Sequence, residues 1–325
     1  MSAIIPRAAV VIAALFAFTA PSVAQNFPER VVRIIVPFPA GGSVDITGRL
    51  LAQKLSENTG HQFIVENRAG AGGNTGAEAV AKSEPDGYTL LHTAPGPIAV
   101  NQTLFSKGLP FDPAKDFAPV ALFAFTPIVL MVNPNLPVKN VQELIAYAKS
   151  NPGKVNFGSA GMGSTPHLAG ELFKTMTKTE LTHVPYRGTS PAMNDLIGGH
   201  IQMFFDLLPS SLPQISTGKV RALANAGTKR PAALPDLPTI EEQGLPGFSA
   251  ASWVVLVAPA KTPAPVLAKL RADVAKAIAS PDVNGRIREM GSEPGTTNEA
   301  EVRAFLDAET KKWAEVIRVS GAKAD

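Results

Sequence analysis

Apolar strands that end in glycine-rich turns and lead directly into helices recur along this chain, and this pattern restricts the possible folds most. The stretch "VPFPAGGSVDITGRLLAQKL", residues 36–55, breaks at Pro-Ala-Gly-Gly-Ser and continues with helical spacing. Strands are predicted at residues 31–37, 62–66 and 88–92, and helices at residues 44–57 and 76–83. A βαβαβ order of this kind favours a parallel sheet with helices on both faces.

A second copy of this plan begins near residue 154. "KVNFGSAGMGSTPHLAGELF" again gives a strand, a glycine-rich turn and a helix, and its Gly163-Ser164 pair lies 121 positions after Gly42-Ser43. In the next turn of each copy, Arg187 follows Arg68 by 119 positions. We therefore predict an α/β fold with two lobes, each a mainly parallel sheet flanked by helices.

Two apolar segments, residues 120–132 and 251–259, are predicted to connect the lobes as crossing strands and to form a hinge. Residues 25–122 and 256–325 are then assigned to lobe 1, and residues 123–255 to lobe 2. The last part of the chain is predicted to be helical, since apolar residues recur there at three- and four-residue spacing.

Residues 1–24 have the features of a secretory signal peptide. Arg7 precedes thirteen uncharged residues, and the small residues Ser22 and Ala24 precede the expected cleavage site. A membrane span needs about 20 apolar residues, and this run is shorter. We expect export to the periplasm of a monomer that begins at Gln25 and is not embedded in the membrane.

Composition excludes several classes of chemistry. The sequence contains no cysteine, which rules out disulfides, thiolate metal sites and cysteine nucleophiles. Its net charge of +3 is spread without a basic cluster, which argues against nucleic acid as a partner. The five histidines lack the spacing of known metal-ligand motifs. We therefore expect neither a metal ion nor another cofactor.

The two glycine turns match none of the common catalytic or nucleotide-binding motifs. Neither has the lysine of a P-loop, the glycine order of a dinucleotide fingerprint or a G-x-S-x-G elbow. What remains is an anion site, because the N–H groups at a helix start lack internal partners and attract negative charge. Ser43, Ser164 and Thr165 would add hydroxyl donors. For one turn alone, simple helix capping is the better explanation; two such turns favour a bound carboxylate.

Three further side-chain patterns leave alternatives open. Ser164, His167 and Asp206 could form a hydrolase triad, but the first two lie only three residues apart without a strained elbow, so His167 is predicted to be structural. Asp45 and Arg49 are spaced for an ion pair along one helix. Arg187 could hold a carboxylate through two hydrogen bonds or could simply be solvated.

At the level of longer stretches the chain resembles one family. "VRIIVPFPAGGSVD", "VENRAGAGGNTGAEAVAKSEPDGYTLL", "HVPYRGTSPAMNDLIGGHI" and "VRALANAGTKRPAALPDLPTIEEQGLPGF" are similar to the Bug family of extracytoplasmic solute receptors, the binding-protein component of tripartite tricarboxylate transporters. The resemblance implies a periplasmic "Venus flytrap" of two lobes that closes on a small carboxylate. The implied contacts are Ala40, Gly41, Gly42, Ser43, Thr93 and Ala94 in lobe 1, and Ser159, Gly163, Ser164, Thr165, Arg187, Gly188, Thr189 and Asp206 in lobe 2.

The sequence departs from the family pattern beside this predicted pocket. Thr189 and Ser190 follow Gly188 where glycines are common, and Pro95 and Pro97 stand where smaller residues are frequent. The identity of the carboxylate therefore cannot be transferred from a relative. We expect a non-catalytic binding protein that serves membrane transporter subunits. A receptor for a membrane signalling partner and a secreted hydrolase are the alternatives.

Overall fold

The predicted alternation of strands and helices is present in the computed structural model, which describes residues 27–105 and 107–324. The predicted signal peptide, residues 1–24, lies outside the described residues. The strands are β1 (Val32–Val36), β2 (Phe63–Asn67), β3 (Thr89–Thr93), β4 (Phe117–Val132), β5 (Val155–Ser159), β6 (Leu181–Pro185), β7 (Met203–Leu207), β8 (Arg221–Asn225), β9 (Ala251–Pro259) and β10 (Glu293–Thr296).

Most of the helices follow a strand after a short turn. They are α1 (Ser43–Thr59), α2 (Asn74–Ala81), α3 (Asn101–Leu104), α4 (Pro113–Asp116), α5 (Val141–Ser150), α6 (Thr165–Thr177), α7 (Thr189–Gly198), α8 (Leu208–Ser216), α9 (Ala264–Ala279), α10 (Pro281–Glu289) and α11 (Glu299–Ser320). A 3₁₀ turn at Ala71–Gly73 precedes α2, and a π turn at Gly96–Val100 precedes α3.

The strand order repeats from one lobe to the other. In the first lobe the order is β2-β1-β3-β9-β4, with β1 parallel to β2 and β3, and β9 antiparallel to β3 and β4. In the second lobe the order is β6-β5-β7-β4-β8, with β5 parallel to β6 and β7, and β4 antiparallel to β7 and β8. The two copies seen in the sequence therefore correspond to two lobes of one topology.

The long strand β4 passes through both lobes. Its first half pairs with β9 and β10, and its second half, from Ile128 to Val132, pairs with β7 and β8. The return strand β9 begins at Ala251, which lies opposite Pro127 in the middle of β4. The two predicted crossing strands are thus confirmed as parts of the sheet. The exact lobe boundaries stay a prediction.

Helix α1 shows why these segments adopt their local structure. Leu51 and Leu55, four residues apart, are both fully buried against the sheet, as the helical spacing requires. The helix ends where Gly60 adopts the left-handed conformation at φ 73° and donates its N–H to the Ser56 carbonyl. A glycine in this position is the usual way to end a helix.

The C-terminal helix α11 packs against elements of both lobes. Its Trp313 lies in the same buried cluster as Phe157 and Phe173 of the second lobe. The indole N–H groups of Trp313 and of Trp253 on β9 both donate to one carboxylate oxygen of Glu309, each at 2.9 Å. The helix is therefore fixed to the strand by which the chain returns to the first lobe.

Candidate functional site

The predicted site residues lie at the carboxyl ends of the parallel strands in both lobes. In the first lobe Val36 pairs with Asn67, and Thr93 ends the neighbouring β3. In the second lobe Ser159 pairs with Pro185. Helices α1, α2, α6, α7 and α8 all begin at these edges. Ligands of α/β sheets bind outside the carboxyl ends of the strands, where helix starts converge.

The turn between β1 and α1 is held in shape by a buried carboxylate. Asp45, 3% exposed, accepts the Gly41 N–H at 2.9 Å, the Asn67 amide at 2.8 Å and the Arg49 guanidinium at 2.9 and 3.0 Å. Burial acts to raise its pKa, but the hydrogen bonds from Arg49, Gly41 and Asn67 outweigh it, so the pKa of Asp45 is lowered. The expected Asp45–Arg49 pair is therefore present, and it also fixes the turn.

The start of α1 offers open backbone donors. Gly42 is the N-cap residue, and among the described residues no side chain caps this helix. The first backbone hydrogen bond runs from Ile46 N–H to Gly42 oxygen, which leaves the N–H groups of Ser43, Val44 and Asp45 without helical acceptors. Gly42 is exposed and Ser43 half-buried. The first of these donors, on Ser43, therefore lies at the surface, whereas Val44 and Asp45 are buried.

The equivalent turn of the second lobe satisfies its own donors. The Ser164 hydroxyl donates to the Gly161 carbonyl at 2.7 Å and accepts the His167 N–H at 3.4 Å, so it caps α6. Pro166, at the second helical position, has no N–H. The N–H of Thr165 is the remaining donor of this first turn, and Thr165 is buried. This helix start has little left to offer a ligand.

A pair of buried histidines lies beneath the same turn. The His167 Nδ1 accepts the Gly163 N–H at 3.2 Å, and its ring centroid lies 4.2 Å from that of His183. His183 Nε2 in turn lies 2.7 Å from the Ser159 hydroxyl. Burial lowers the pKa of His167 to about 3 and that of His183 to about 4. Both imidazoles are therefore neutral near pH 7, and they fix the turn in place.

A second open helix start lies at α7. Its N-cap is Gly188, and within the described part of the chain no side chain caps it, while Pro191 at the third helical position has no N–H. The N–H groups of Thr189 and Ser190 are thus available. Arg187, just before this start, is exposed and has no carboxylate within 4.0 Å among residues 27–105 and 107–324.

Asp206, at the end of β7, lies fully buried behind α7. Its carboxylate accepts the hydroxyls of Thr189 at 3.1 Å, Ser210 at 2.7 Å and Ser211 at 3.1 Å. Burial raises the pKa of this carboxyl to about 6, although these hydroxyls and the Leu207 N–H act against the rise. The residue supports the α7 start from within the protein.

The two lobes meet beside these turns. A Cβ atom added to Gly163 would lie 2.5 Å from Leu104 Cδ2 and 3.5 Å from Asn101 Oδ1, and both of those residues belong to α3 of the first lobe. Gly163 also has φ +75°, which side chains rarely adopt. The packing of the lobes and the backbone conformation are therefore sufficient reasons for a glycine here.

The predicted site residues differ in how accessible they are. Ala40, Gly41, Gly42 and Arg187 are exposed; Ser43, Ala94, Ser164, Gly188 and Thr189 are half-buried; Thr93, Ser159, Gly163, Thr165 and Asp206 are buried. Contacts join them within each lobe: Ala94 packs on the cluster that contains Val44, and Thr189 binds Asp206. A direct role in ligand binding stays a prediction for every one of them.

The side chains of the hydrolase alternative do not form a relay. The His167 imidazole binds the backbone of Gly163, and Asp206 binds three hydroxyls on α7 and α8 rather than this histidine. Among the described residues there is no group of three or more histidine, aspartate or glutamate side chains placed to hold a metal ion. Nor does any helix in that part of the chain combine the length and apolar character of a membrane span.

Two surface cavities lie away from the strand ends. One of about 230 Å³ is lined by residues such as Phe117 and Leu306 beside α11, and one of about 560 Å³ is lined by residues such as Phe27 and Tyr88. The second cavity also includes Pro263 at the uncapped start of α9, but neither cavity contains any of the predicted site residues. The open N–H donors at the starts of α1 and α7, at the carboxyl ends of the strands, are therefore considered below as the candidate anion site.

The structure adds residues that the sequence did not single out. Asn101 donates its side-chain amide to the Gly72 carbonyl at 3.1 Å and to Asn74 Oδ1 at 2.6 Å, and it lies beside Gly163. Leu104 fills the same contact between the lobes. Neither residue belongs to a recognisable motif, and their positions follow from the packing of the lobes.

Comparison with known proteins agrees with this arrangement of strand ends and helix starts. A family model described as "Tripartite tricarboxylate transporter family receptor" matches residues 47–322. The chain belongs to this family. Protein BugT of Bordetella pertussis is similar to it, with 37% identity over 305 residues that cover 94% of this chain and 93% of BugT. The predicted membership of the Bug family of receptors is confirmed.

Solved structures of similar proteins share the fold. The R. palustris protein Rpa4515 with adipate has a TM-score of 0.85 and 40% identity, covering 91% of this chain and 99% of that protein. MatC from Rhodopseudomonas palustris with bound malate has a TM-score of 0.81 and 34% identity, covering 90% and 100%. The predicted α/β fold of two lobes, typical of periplasmic solute-binding proteins, is therefore confirmed.

Proposed function

We propose that this receptor captures a small dicarboxylate between the start of α1 and the start of α7 and delivers it to the membrane subunits of a tripartite tricarboxylate-type transporter. The observation that carries the proposal is the pair of uncapped helix starts, one from each lobe, at Gly42 and Gly188. In this proposal both present backbone N–H groups to one cleft between the lobes. A carboxylate is the ligand that such donors and the helix dipole favour.

Relatives support the choice of ligand class. Rpa4515 was solved with adipate and MatC with bound malate, and both of these acids are dicarboxylates. Two carboxylate groups on one molecule can use both helix starts at once, which would hold the lobes together. The arginine at position 187, exposed beside the α7 start, supplies a positive charge at that end.

We further propose that the protein acts without catalysis. The Ser164 hydroxyl serves as a helix cap and the His167 imidazole as a backbone acceptor, so neither is set up as nucleophile or base. In this proposal residues 1–24 direct the chain to the periplasm and are removed, and the mature protein works as a monomer. Mass spectrometry of a periplasmic extract and light scattering of the purified protein test these two statements.

A thermal-shift screen with dicarboxylates and tricarboxylates tests the binding function. A ligand present at a hundred times its dissociation constant stabilises the folded state by about 2.7 kcal/mol, which raises the midpoint of unfolding by several degrees. Calorimetric titration should then give one site per chain for the ligand that shifts the midpoint most. Absence of any shift with carboxylates, or turnover of generic ester substrates, would contradict the proposal.

A further inference from the structure

Asp206 is a buried carboxylate that no cation neutralises. Its side chain is fully buried, and no lysine, arginine or histidine nitrogen in the described ranges lies within 4.0 Å of its oxygens. Three hydroxyls and one backbone N–H are its partners. Burying an unpaired carboxylate is costly, and its pKa of about 6 reflects that cost. Costly buried charges at a cleft edge are typical of functional sites.

The pKa of Asp206 is determined by burial and by hydrogen bonds, and not by neighbouring charged groups. Strands β4 and β5 and helix α8 carry no ionisable side chain. Helix α7 carries Asp195, whose carboxylate accepts the Tyr186 hydroxyl at 2.6 Å. Helix α6 carries His167, Glu171 and Lys174, and the last two pair with each other at 2.9 Å. None of these groups is among the causes of the shift in the pKa of Asp206.

The hydroxyl of Thr189 connects this carboxylate to the open start of α7. Thr189 is the first residue of the helix, and its Oγ1 lies 3.1 Å from Asp206 Oδ1. When Asp206 is ionised it can only accept, so the Thr189 proton must point inward, away from the cleft. When Asp206 is protonated at Oδ1, it can donate to Thr189 Oγ1, and the threonine proton becomes free to point outward.

Protonation therefore changes two features of the cleft in the same direction. It turns the Thr189 hydroxyl into a possible donor to a ligand carboxylate, and it removes a negative charge from behind the helix start. Ser210 and Ser211 can still donate to Oδ2, so the link between α7 and α8 persists. Both changes strengthen the binding of an anion at α7.

We propose that Asp206 is a proton-linked positioning residue: it sets the direction of the Thr189 hydroxyl, and the protein takes up a proton there when a carboxylate binds. The inference rests on the proposed function, since it concerns affinity at that site. It assigns Asp206 a place behind the helix start rather than in contact with the ligand. Affinity for a dicarboxylate should rise as the pH falls through the range in which Asp206 titrates.

Calorimetric titration of the mature protein with adipate and with malate, at pH 8 and pH 5.5, tests the inference. The wild type should bind about tenfold more tightly at pH 5.5, the change that corresponds to a one-unit rise in the pKa of Asp206 on binding. At pH 6.5 the binding enthalpy should depend on the ionisation enthalpy of the buffer, which reports proton uptake. Asp206→Asn, permanently neutral, should bind at pH 8 as the wild type does at pH 5.5.

Matched variants separate this role from a structural one. The ligand's own carboxyl groups also titrate in this pH range, and they do so equally with Asp206→Asn and with the wild type. The difference in the pH dependence of affinity between the two proteins therefore reports Asp206 alone. Asp195→Asn, a change to the other carboxylate of α7, should keep the wild-type pH dependence. Thr189→Val should lose the part of the low-pH gain that the hydroxyl provides and keep only the part due to the lost negative charge, whereas Thr189→Ser should retain the full gain. These two variants test the role of the hydroxyl even if Asp206→Asn does not fold.

The outcomes distinguish the inference from the function on which it rests. If the wild type binds neither these acids nor any other carboxylate in the screen, the proposed function fails and the inference fails with it. If the wild type binds but its pH dependence equals that of Asp206→Asn, the function stands and the inference is wrong. Retention of the full low-pH gain in Thr189→Val would also overturn it.

Discussion

The turn before α1 and the turn before α6 occupy the same place in the two lobes, but only the second has its helix N–H groups bonded by a side-chain cap. Both follow the first strand of a βαβ unit, and both contain a Gly-Ser pair. At α1 the N-cap is Gly42, and the first N–H groups stay open. At α6 the N-cap is Ser164, which uses its own hydroxyl on the helix. A shift of one residue in the cap thus decides whether the first N–H groups of a helix stay open or are bonded by the side chain of the cap residue.

The buried carboxylates of the two lobes differ in a related way. Asp45 has a guanidinium and an amide as partners, and its pKa is lowered; Asp206 has hydroxyls, and its pKa is raised to about 6. The charge of Asp45 stabilises the turn before α1, whereas the charge of Asp206 lowers the stability of the folded protein. In the proposed binding mode, the first lobe therefore supplies an anion site that does not vary with pH near neutrality, and the second lobe one that does.

The largest effect expected is on stability, at the second turn. Gly163→Val places a β-branched residue at φ +75° and against Leu104, so it should lower the free energy of unfolding by about 3 kcal/mol. Urea denaturation measures this loss. A variant as stable as the wild type would show that this turn can rearrange, and the contrast with the first turn would disappear.

Gly42→Val should mainly lower the affinity for the ligand. Its backbone at φ −77° suits any residue, and an added Cβ atom meets only the Pro39 carbonyl oxygen at 3.5 Å. Stability should fall by about 1 kcal/mol, because valine is a poorer N-cap residue than glycine. The side chain would obstruct the approach to the α1 donors, so affinity should fall about a hundredfold, or about 2.8 kcal/mol. Titration calorimetry on the folded variant decides, and unchanged affinity would place the ligand elsewhere.

The two carboxylates should respond to pH in opposite directions. Because the folded pKa of Asp45 is lowered, its contribution is present above pH 3.8 and is lost as the pH falls through the folded value. Asp45→Asn should therefore cost about 2 kcal/mol at pH 7, the value of its charged hydrogen bonds.

For Asp206 the sign reverses. Its folded pKa of about 6 exceeds the ordinary aspartate value of 3.8, so its stabilising contribution is complete below about pH 4 and is lost as the pH rises to about 6. Asp206→Asn should thus stabilise the protein at pH 8 by about 1–3 kcal/mol. Denaturation curves of both variants between pH 2.5 and pH 8 test these two predictions. Parallel pH profiles for the two variants would contradict the assignment.

The smallest effects expected come from the two serines. Ser164→Ala removes a helix cap and should cost about 1 kcal/mol of stability, with little effect on affinity. Ser43→Ala leaves α1 uncapped as before, so stability should be unchanged and affinity should fall by at most about 0.5–1.5 kcal/mol, one hydrogen bond. Thermal unfolding and titration of each variant separate the two. If Ser43→Ala lowered stability and Ser164→Ala lowered affinity instead, the roles assigned to the two turns would be wrong.

The fold was largely predictable because its signals are local and repeated. The strands and helices at 31–92, the crossing segments and the last helix follow from apolar spacing, and the two Gly-Ser turns mark the repeat. Strand β10 was missed, since Glu293–Thr296 contains a proline and a glycine and pairs only at the edge of β4.

The site was less predictable because its contacts join distant residues. The sequence shows that Asp206 ends an apolar strand, but its partners Thr189 and Ser210 reach it only through the order of strands and helices. The contact between Gly163 and Leu104 depends on how the lobes pack. That Ser164 closes its helix while Ser43 does not depends on which residue becomes the N-cap, and helix boundaries are hard to read to a single residue.

The decisive measurement is a crystal structure of the protein with a bound dicarboxylate. We expect one carboxylate within about 2.7–3.2 Å of the N–H groups of Ser43 or Val44, and the other group toward Thr189 and Ser190. The Ser164 hydroxyl should still cap α6 in that structure. A carboxylate bound to Thr165 N–H at the α6 start, with the α1 donors left to solvent, would show that the roles assigned to the two turns are wrong.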